Sequence, residues 1–408
     1  MGEDGSTTSA SPHVDERART VKTRLLFAMA FLGATGQNVI ALALLFYARE
    51  RFSASASQIG CLAGSWSISY MFACMCQRRF AARILPRYSI LTASFSISLV
   101  LWGITKAPSF PVVFALYSLQ GVLTSLYWPA LMGWLSAGLE GKRLSRTIGG
   151  FNVAWSTGGI VSPLIAGRLS DMRIALPVQL GATIYLLGGC GMLAAILALP
   201  SLRQDDSAHS HESATAAKHD GGTPLRFPAW LGVFTVYTVL GVLISVFPVI
   251  GQEVLALNRT QIGNLLFLRA AATTVGLAVL GRTVWWHFRL GQMQIGLALF
   301  ALVFVALAST RAVPMVCVLM ILAGFLTAQG YVNSLFHGVT GSVRRAARMA
   351  MHEALLAAGL FTGSAAGGRI FQTGGDRAVY MVAAALLGLA AITQGVVAKH
   401  AISAERTV

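Results

Sequence analysis

Long apolar stretches alternate with short polar segments along almost the whole chain. Twelve of these stretches are long enough to cross a bilayer, which takes about 20 residues of helix. The pattern therefore predicts an all-α membrane protein with twelve transmembrane helices. The predicted spans are 25–48, 58–77, 88–105, 110–136, 147–169, 175–199, 229–251, 261–281, 291–309, 313–337, 347–369 and 377–397.

One long polar interruption divides the apolar pattern near the middle of the chain. Residues 201–227 are rich in Ser, His, Asp and Gly, as expected of a linker between two groups of six helices. The chain ends are also polar. The predicted organisation is a disordered cytoplasmic tail at 1–24, an N-terminal six-helix bundle at 25–200, a cytoplasmic linker at 201–227, a C-terminal six-helix bundle at 228–398 and a cytoplasmic tail at 399–408.

Two short segments recur at about half the length of the chain. The run of small residues from Gly158 to Gly167 returns 201 positions later, from Gly359 to Gly368. The segment SQIG at 57–60 returns as TQIG at 260–263, a shift of 203. A half-length repeat in an apolar chain predicts two pseudo-symmetric bundles, an arrangement typical of secondary transporters.

Composition and charge support the membrane interpretation. Apolar residues make up 55% of the chain and charged residues 11%, which is not the usage of an ordinary soluble protein. A net charge of +16 would suit a nucleic-acid partner, but about two thirds of the 31 Lys and Arg residues fall on one side of the predicted membrane. This bias predicts cytoplasmic termini, with membrane lipids as partners and no nucleic acid. We expect a multi-pass protein of the bacterial inner membrane.

Twelve spans, internal termini, a central linker and a half-length repeat resemble the major facilitator superfamily over residues 22–400. The resemblance implies a single chain that encloses its own pathway, so a monomer is expected. The family carries a glycine, an acid and arginines after the second helix. Here Arg83 and its neighbours keep the arginines without the acid, and Arg282 follows Gly281 in the second half, again without the acid.

Two further family patterns are matched in part. The arginine that precedes Gln-Gly in the fourth helix is replaced by Tyr117, so proton antiport by that device is not supported. The small-residue run of the fifth helix, common in the family's exporters, is present with Gly158 and Pro163, and its repeat contains Gly359 and Gly363. Small residues allow close helix packing, and proline with glycine allows bending. With Arg83 and Arg282, these four residues are the predicted conformational gating residues.

Arg269 is the main candidate for substrate binding. It lies about eight residues into the eighth predicted span, roughly 12 Å from the end of the helix. A guanidinium at that depth is costly unless it faces a cavity or a partner, and its geometry suits carboxylate or phosphate groups. The alternative is an internal ion pair, with Glu353 as the expected partner.

Glu353 and His352 are the candidates for proton coupling. They lie in the first third of the eleventh predicted span, and both side-chain types exchange protons in transporters. The alternative is that this turn lies at the water–lipid boundary.

Polar and aromatic residues in other spans complete the predicted substrate site. Gln37 lies mid-span, Gln329 and Asn333 share one helix face, and Trp66 corresponds to Arg269 in the half-length repeat. Amides bind substrate or bond across helices, and aromatic rings give a cavity its shape. The predicted substrate-binding residues are Arg269, Gln37, Asn333, Gln329, Trp66 and Tyr237.

The favoured hypothesis is a secondary active transporter that moves a small organic solute. The solute is expected to bind Arg269 through an anionic group, and its transport is expected to be coupled to protons. Two alternatives stay open: an efflux transporter for drugs or amphiphiles, and a non-transporting sensor or membrane-assembly protein with a transporter fold. The sequence contains no phosphate-binding glycine loop and no nucleophile elbow. We therefore predict no enzymatic activity, no cofactor and no metal site.

Overall fold

A computed structural model of the chain describes residues 12–77, 84–136, 141–198, 222–342 and 345–406. These residues form helices joined by short connections, and no β-strand occurs within those ranges. We number the helices α1 (Pro12–Phe52), α2 (Ala56–Gln77), α3 (Pro86–Lys106), α4 (Phe110–Ser136), α5 (Gly141–Met172), α6 (Leu176–Ala198), α7 (Arg226–Glu253, with a π-helical turn at Val242–Val246), α8 (Arg259–Leu280), α9 (Leu290–Ser309), α10 (Val313–Val339) and α11 (Arg345–Arg406).

Ten ranges in the described part of the chain are helices long and apolar enough to cross a membrane. α5 is not among them, because glycines, serines and threonines make it less apolar than its neighbours. The last range, Arg348–Ala401, has 54 residues, far more than the roughly 20 that one crossing requires. Its helix breaks at Gly375, whose φ of 74° lies in the left-handed region that favours glycine. The predicted all-helical membrane architecture is confirmed at this level.

The ends of the chain are more helical than the polar composition indicated. α1 begins at Pro12, a residue favoured at the first helical position, and no glycine or second proline interrupts it before Gly33. Residues 12–24, assigned to a disordered tail above, are therefore helical, and so are residues 399–406. Most of the predicted linker, residues 201–221, lies outside the described residues, and α7 begins at Arg226.

The helices pack in two groups. In the first, α1 contacts α5 and α6, α3 contacts α4 and α6, and α2 contacts α4. In the second, α7 contacts α10 and α11, α8 contacts α10, and α9 contacts α11. The principal contacts between the groups are α2 with α11 and α5 with α8. The space between these two crossings is therefore bordered by both halves of the chain.

The two ends of the helices differ in their connections. Because consecutive helices alternate in direction, the turns at 53–55, 173–175 and 254–258 all lie at one end, which we call the distal end. Arg311 and Asp376 form an ion pair of 2.7 Å there, next to the break in α11. The opposite end, where α7 begins, is called the linker end. At the linker end, the backbone amide of Thr223 donates to the carbonyl of Thr340.

Candidate functional site

Paired glycines bring the two groups together at the distal end. A Cβ on Gly263 of α8 would press against the carbonyl oxygen of Pro163 and lie 3.3 Å from the Cα of Gly167, both in α5. At the other crossing, a Cβ on Gly60 of α2 would lie 3.2 Å from the Cα of Gly368 in α11. The repeated glycines therefore allow the backbones of the two halves to approach closely at both crossings.

The glutamines of the repeat have a structural role at the same place. Before α8, Asn258 accepts from the Gln261 amide at 2.8 Å, and Gln261 accepts from the Asn258 amide at 3.0 Å. Before α2, Gln58 and Ser55 make the equivalent reciprocal hydrogen bonds, at 2.8 and 3.2 Å. Each helix thus begins with a capping box, which satisfies two otherwise free backbone amides.

Two ion pairs connect the groups at the distal end. Arg49, near the end of α1, pairs with Glu253, at the end of α7. Glu50, the neighbour of Arg49, pairs with Arg259, the first residue of α8. Each pair joins residues more than 200 positions apart in sequence, so each forms only when the distal ends of the two groups meet.

Asp171 adds a third polar contact between the groups. Its carboxylate, near the end of α5, accepts from the Thr260 amide at 2.8 Å, the Thr260 hydroxyl at 2.6 Å and the Arg259 amide at 3.2 Å. A carboxylate at the first amides of a helix is favoured by the helix dipole. We call Glu50, Asp171, Arg259 and Thr260 the distal clamp.

A second cluster of charged and aromatic side chains lies around Arg269, farther from the distal end. Arg269 lies ten residues into α8, about 15 Å from the beginning of that helix, which is near the middle of a membrane span. The Tyr237 hydroxyl is within electrostatic range of Arg269, Glu353 and Tyr331. The rings of Tyr237 and Tyr331 lie 6.4 Å apart. Three of the predicted site residues, Arg269, Tyr237 and Glu353, are thus brought together from three helices.

The two charges of this cluster do not neutralise each other directly. No ion pair joins Arg269 to Glu353, and no other ion pair with either side chain is present in the ranges that the structure describes. Arg269 is half-buried, and its Nε atom is fully buried without a hydrogen-bond partner. Glu353 is exposed although it lies between the groups, as expected of a residue that borders an open cavity. The direct ion pair considered from the sequence is absent.

His352 is held beside Glu353 by neighbouring side chains. Its Nδ1 lies 2.8 Å from the hydroxyl of Ser334 in α10, and its ring packs edge-on against Tyr331 at 4.9 Å. The other ring nitrogen, Nε2, is buried without a partner. The geometry therefore orients the imidazole and leaves one of its nitrogen atoms without a hydrogen-bond partner among the described residues.

Helix α2 contributes aromatic side chains from the first group. The rings of Trp66 and Tyr70 stack with centroids 5.3 Å apart and planes 4° from parallel. The indole N–H of Trp66 is buried without a partner, and Tyr70 is within electrostatic range of Glu353. The cluster around Arg269 therefore includes residues of both halves of the chain.

Gln37 makes its principal contact within the first group. Its side-chain oxygen accepts from the indole N–H of Trp128 at 2.8 Å. Gln37 forms no hydrogen bond with Arg269 or Glu353 among the described residues. A substrate-binding role for Gln37 stays a prediction.

Gln329 and Asn333, which were predicted to bind substrate together with Arg269, lie inside the second group. Gln329 donates to the carbonyl of Gln292 at 2.9 Å, and Asn333 donates to the side chain of Gln292 at 3.2 Å. With Gln394 of α11 they line a small cavity inside the second group, which Arg269 does not line. The physical reason is that amides in an apolar bundle find each other across helices. The structure does not bring Gln329 or Asn333 to the residues around Arg269.

The predicted gating residues have three different environments. Gly158 packs against Thr35 of α1, and its repeat Gly359 packs in the same way against Thr238 of α7. Gly363 also packs against Thr238, and the Pro163 carbonyl contacts α8. All four small or bent positions therefore lie where α5 or α11 packs closely against a neighbouring helix. Arg282 is exposed in the turn after α8, and Arg83 lies outside the described residues.

Sequence and fold comparisons place this arrangement among known proteins. The model of the Major Facilitator Superfamily matches residues 26–228, from α1 into α7. The crystal structure of the nucleoside transporter NupG has the same fold over 92% of this chain and 98% of its own, with a TM-score of 0.72 and 11% sequence identity. The chain belongs to the Major Facilitator Superfamily.

Other solved transporters share the fold. A bacterial homologue of the human lysosomal transporter Spinster, in an inward-facing and unoccupied conformation, aligns over 98% of both chains with a TM-score of 0.68 and 15% identity. The human organic anion transporter MFSD10 aligns over 92% of this chain and 99% of its own, with a TM-score of 0.63 and 14% identity. At such identities the likeness is one of fold. No curated protein matches the chain in sequence.

As a member of the Major Facilitator Superfamily, the chain is a multi-pass integral membrane protein with the fold of a secondary transporter. The sequence reasoning missed the distal clamp and Tyr331. Glu50 and Glu253 were visible as repeat equivalents; Arg49 precedes Glu50, and Arg259 begins the helix that follows Glu253. Charged residues next to repeated helix starts were thus the available signal for contacts between the halves.

Proposed function

We propose that this Major Facilitator Superfamily member is a secondary active transporter that moves a small organic solute by alternating access. The observation that carries the proposal is the unpaired Arg269, close to mid-membrane between the two groups, with Glu353 nearby and both groups contributing side chains. An ionisable group at that depth is costly, so its persistence without an ion-pair partner favours a role in substrate binding or coupling. The solute is expected to bind Arg269 through an anionic group.

Twelve crossings in two six-helix bundles fit the described helices. α5, with 32 residues, is long enough to span although it is less apolar than the ten candidates. α11 supplies two crossings, one on each side of Gly375. The proposed bundles, 25–200 and 228–398, are then joined by the linker at 201–227. The basic residues favour a cytoplasmic linker end and a distal end on the outer side, with the protein in the bacterial inner membrane.

We assign the described conformation to the inward-open state. Paired glycines and the ion pairs between the groups hold the distal end together, whereas Glu353 remains exposed. The outward-open state requires the same contacts to separate. The distal clamp would therefore be one of the contacts that set the equilibrium between the two states.

Proton coupling is assigned to Glu353 and His352. Both lie beside the substrate residues, and the free Nε2 of His352 gives the imidazole a position for a proton. A single chain borders the whole space between the groups, so a monomer is sufficient for transport.

Thermal unfolding of the purified protein with anionic, cationic and neutral metabolites tests the proposal. A ligand at a hundredfold excess over its Kd raises the apparent stability by about 2.7 kcal/mol. We expect anions to stabilise the native protein and to lose that effect in Arg269→Ala. Arg369→Ala, which changes an exposed arginine of α11, is the matched control. Equal stabilisation of both variants by an anion would exclude the anion-binding role of Arg269. Absence of counterflow of the stabilising ligand in vesicles loaded with it would exclude transport.

Efflux of lipophilic cations is the second candidate function. It is favoured by the exposed carboxyl of Glu353 and the stacked rings of Trp66 and Tyr70, which together suit a flat cation. Expression in a pump-deficient strain should then raise tolerance to such compounds, and Glu353→Gln should abolish the gain. Unchanged tolerance in the strain that carries the native chain would eliminate this candidate.

A further inference from the structure

The proposed substrate site contains two opposite charges, and neither forms an ion pair with any residue that the structure describes. Arg269 lies in α8 and Glu353 in α11, and the Tyr237 hydroxyl is within electrostatic range of both. His352 is the titratable neighbour of Glu353 in sequence. Tyr70, Cys74 and Tyr331 are further titratable groups within electrostatic range of the carboxyl. The inference that follows rests on the proposed transport function and concerns the same site.

A ligand with a single charge satisfies only one of these two groups. Arg269 is half-buried, whereas Glu353 is exposed and would lose its water only when the space between the groups closes around a ligand. A charge that has lost its water gains most from a partner of opposite sign with hydrogen bonds. A simple anion on Arg269 would leave Glu353 without a partner, and a simple cation on Glu353 would leave Arg269 without one. A ligand that carries both charges satisfies both residues at once.

The aromatic side chains indicate the body of such a ligand. The rings of Tyr237 and Tyr331 lie 6.4 Å apart near the charged residues, and Trp66 and Tyr70 form a flat stack on α2. Aromatic faces favour planar apolar groups. The Trp66 indole N–H, buried without a partner, is a free donor for a ligand oxygen.

We propose that the substrate is a zwitterion with a planar apolar body, of the amino-acid or small-peptide type. Its carboxylate binds Arg269, its ammonium group binds Glu353, and its apolar body lies against the aromatic rings. This ligand class differs from the simple anion that Arg269 alone predicts, because it makes Glu353 a binding residue as well as a candidate proton carrier.

A charge-matched set of ligands tests the proposal. Phenylalanine and glycyl-phenylalanine carry both charges at two different separations, their N-acetyl derivatives keep only the carboxylate, and their amides keep only the ammonium group. Binding is measured as the shift of the unfolding midpoint of the full chain in detergent, over a range of ligand concentrations. We expect at least one zwitterion to bind ten or more times more tightly than both of its single-charge derivatives.

Two variants separate the contributions of the charges. In Glu353→Gln the zwitterion and its N-acetyl derivative should bind equally, and in Arg269→Gln the zwitterion and its amide should bind equally. Arg369→Gln, at an exposed position of α11, should keep the native preference and shows that an altered charge alone has no effect. If a variant does not fold, the ligand set applied to the native chain still decides the question.

The outcomes distinguish this inference from the proposed function. Equal or tighter binding of the single-charge derivatives, or no binding by any member of the set, would overturn the zwitterion assignment. Counterflow of some other solute in vesicles would then leave the transport function standing. If a zwitterion binds with the predicted preference but shows no counterflow, the ligand class is correct and the transport function is wrong.

Discussion

The two distal crossings between the halves have the same backbone geometry but different charges. Each brings a glycine of one half against a glycine of the other, Gly167 with Gly263 and Gly60 with Gly368. Only the α5–α8 crossing has a carboxylate, Asp171, on the first amides of the facing helix. The comparison shows that the half-length repeat specifies how the helices meet, whereas unrepeated residues decide how firmly they are held.

The two crossings differ at positions that correspond to each other in the half-length repeat, at shifts of 203 and 201 residues. The position equivalent to Arg259 is Ala56, and the position equivalent to Asp171 is Gln372. Glu50 pairs with Arg259, but the equivalent Glu253 has only alanine at the matching place and pairs with Arg49 instead. The α5–α8 side should therefore resist opening more strongly than the α2–α11 side.

The largest effect is expected when a side chain is added at either crossing. In Gly263→Ala the new Cβ would overlap the Pro163 carbonyl, and in Gly368→Ala it would overlap the carbonyl of Ala56. Overpacking of this kind costs about 1–3 kcal/mol. We expect both variants to open the distal end, measured by labelling of a cysteine placed at Ala63 in a chain without its native cysteines.

Gly388→Ala is the control for these variants, because no atom lies within 4 Å of the added Cβ. Equal effects of Gly263→Ala and Gly368→Ala would confirm that the glycine pairs act alike. Labelling no faster than in the control would contradict the assigned role of the glycines.

Asp171→Asn should have the next largest effect. The change removes the negative charge but keeps one acceptor for the amides of α8, so we expect the distal-closed state to lose about 1 kcal/mol. Labelling at the Ala63 reporter should then rise about fivefold. The matched change at the other crossing, Gln372→Asn, should leave labelling unchanged, and an equal rise in both variants would refute the asymmetry.

Neutralisation of the two equivalent glutamates should have smaller and unequal effects. Ion pairs near the surface contribute about 0–1 kcal/mol. Glu50→Gln should cost more than Glu253→Gln, because the arginine left without its partner is 22% exposed at Arg259 and 38% exposed at Arg49. Glu50 itself is more exposed than Glu253, 48% against 37%, which reduces the expected difference. Double-mutant cycles with the paired arginines measure both coupling energies, and raised ionic strength should reduce them. A larger coupling energy for Arg49 and Glu253 would reverse the comparison.

The smallest effect is expected from building the missing carboxylate into the second crossing. Gln372→Asp places a negative charge near the first amides of α2, where it should stabilise the distal-closed state by about 0.3–1 kcal/mol. Slower labelling at the Ala63 reporter would show that a carboxylate at the first amides of the facing helix stabilises the α2–α11 crossing as well. Unchanged labelling would show that the neighbouring residues of the α5–α8 crossing are also required.

Much of the candidate site could be predicted from the sequence, but its grouping could not. Arg269 and Glu353 were recognisable because charged residues in apolar spans are rare and costly. Gln329 and Asn333 looked equally suitable, yet they contact Gln292 in another part of the second group. Helix periodicity tells which residues share a face, whereas the packing of the neighbouring helices decides what that face contacts.

The sequence by itself determined the all-helical class, the presence of many helices long and apolar enough to cross a membrane, and the half-length repeat. These features depend on local properties: the length of an apolar run, the capping residues at Ser55 and Asn258, and the small residues of α5 and α11. Each of these local properties can be recognised within a few helical turns of sequence.

Only the tertiary structure decided which charges are paired. Arg49 and Glu253 are 204 residues apart, and Arg259 and Glu50 are 209 apart, so their partners depend on how the two groups are placed. The same placement leaves Arg269 and Glu353 without an ion pair to any residue in the described ranges. The physical reason is that electrostatic contacts act over a few ångströms in space, a distance that sequence separation does not specify.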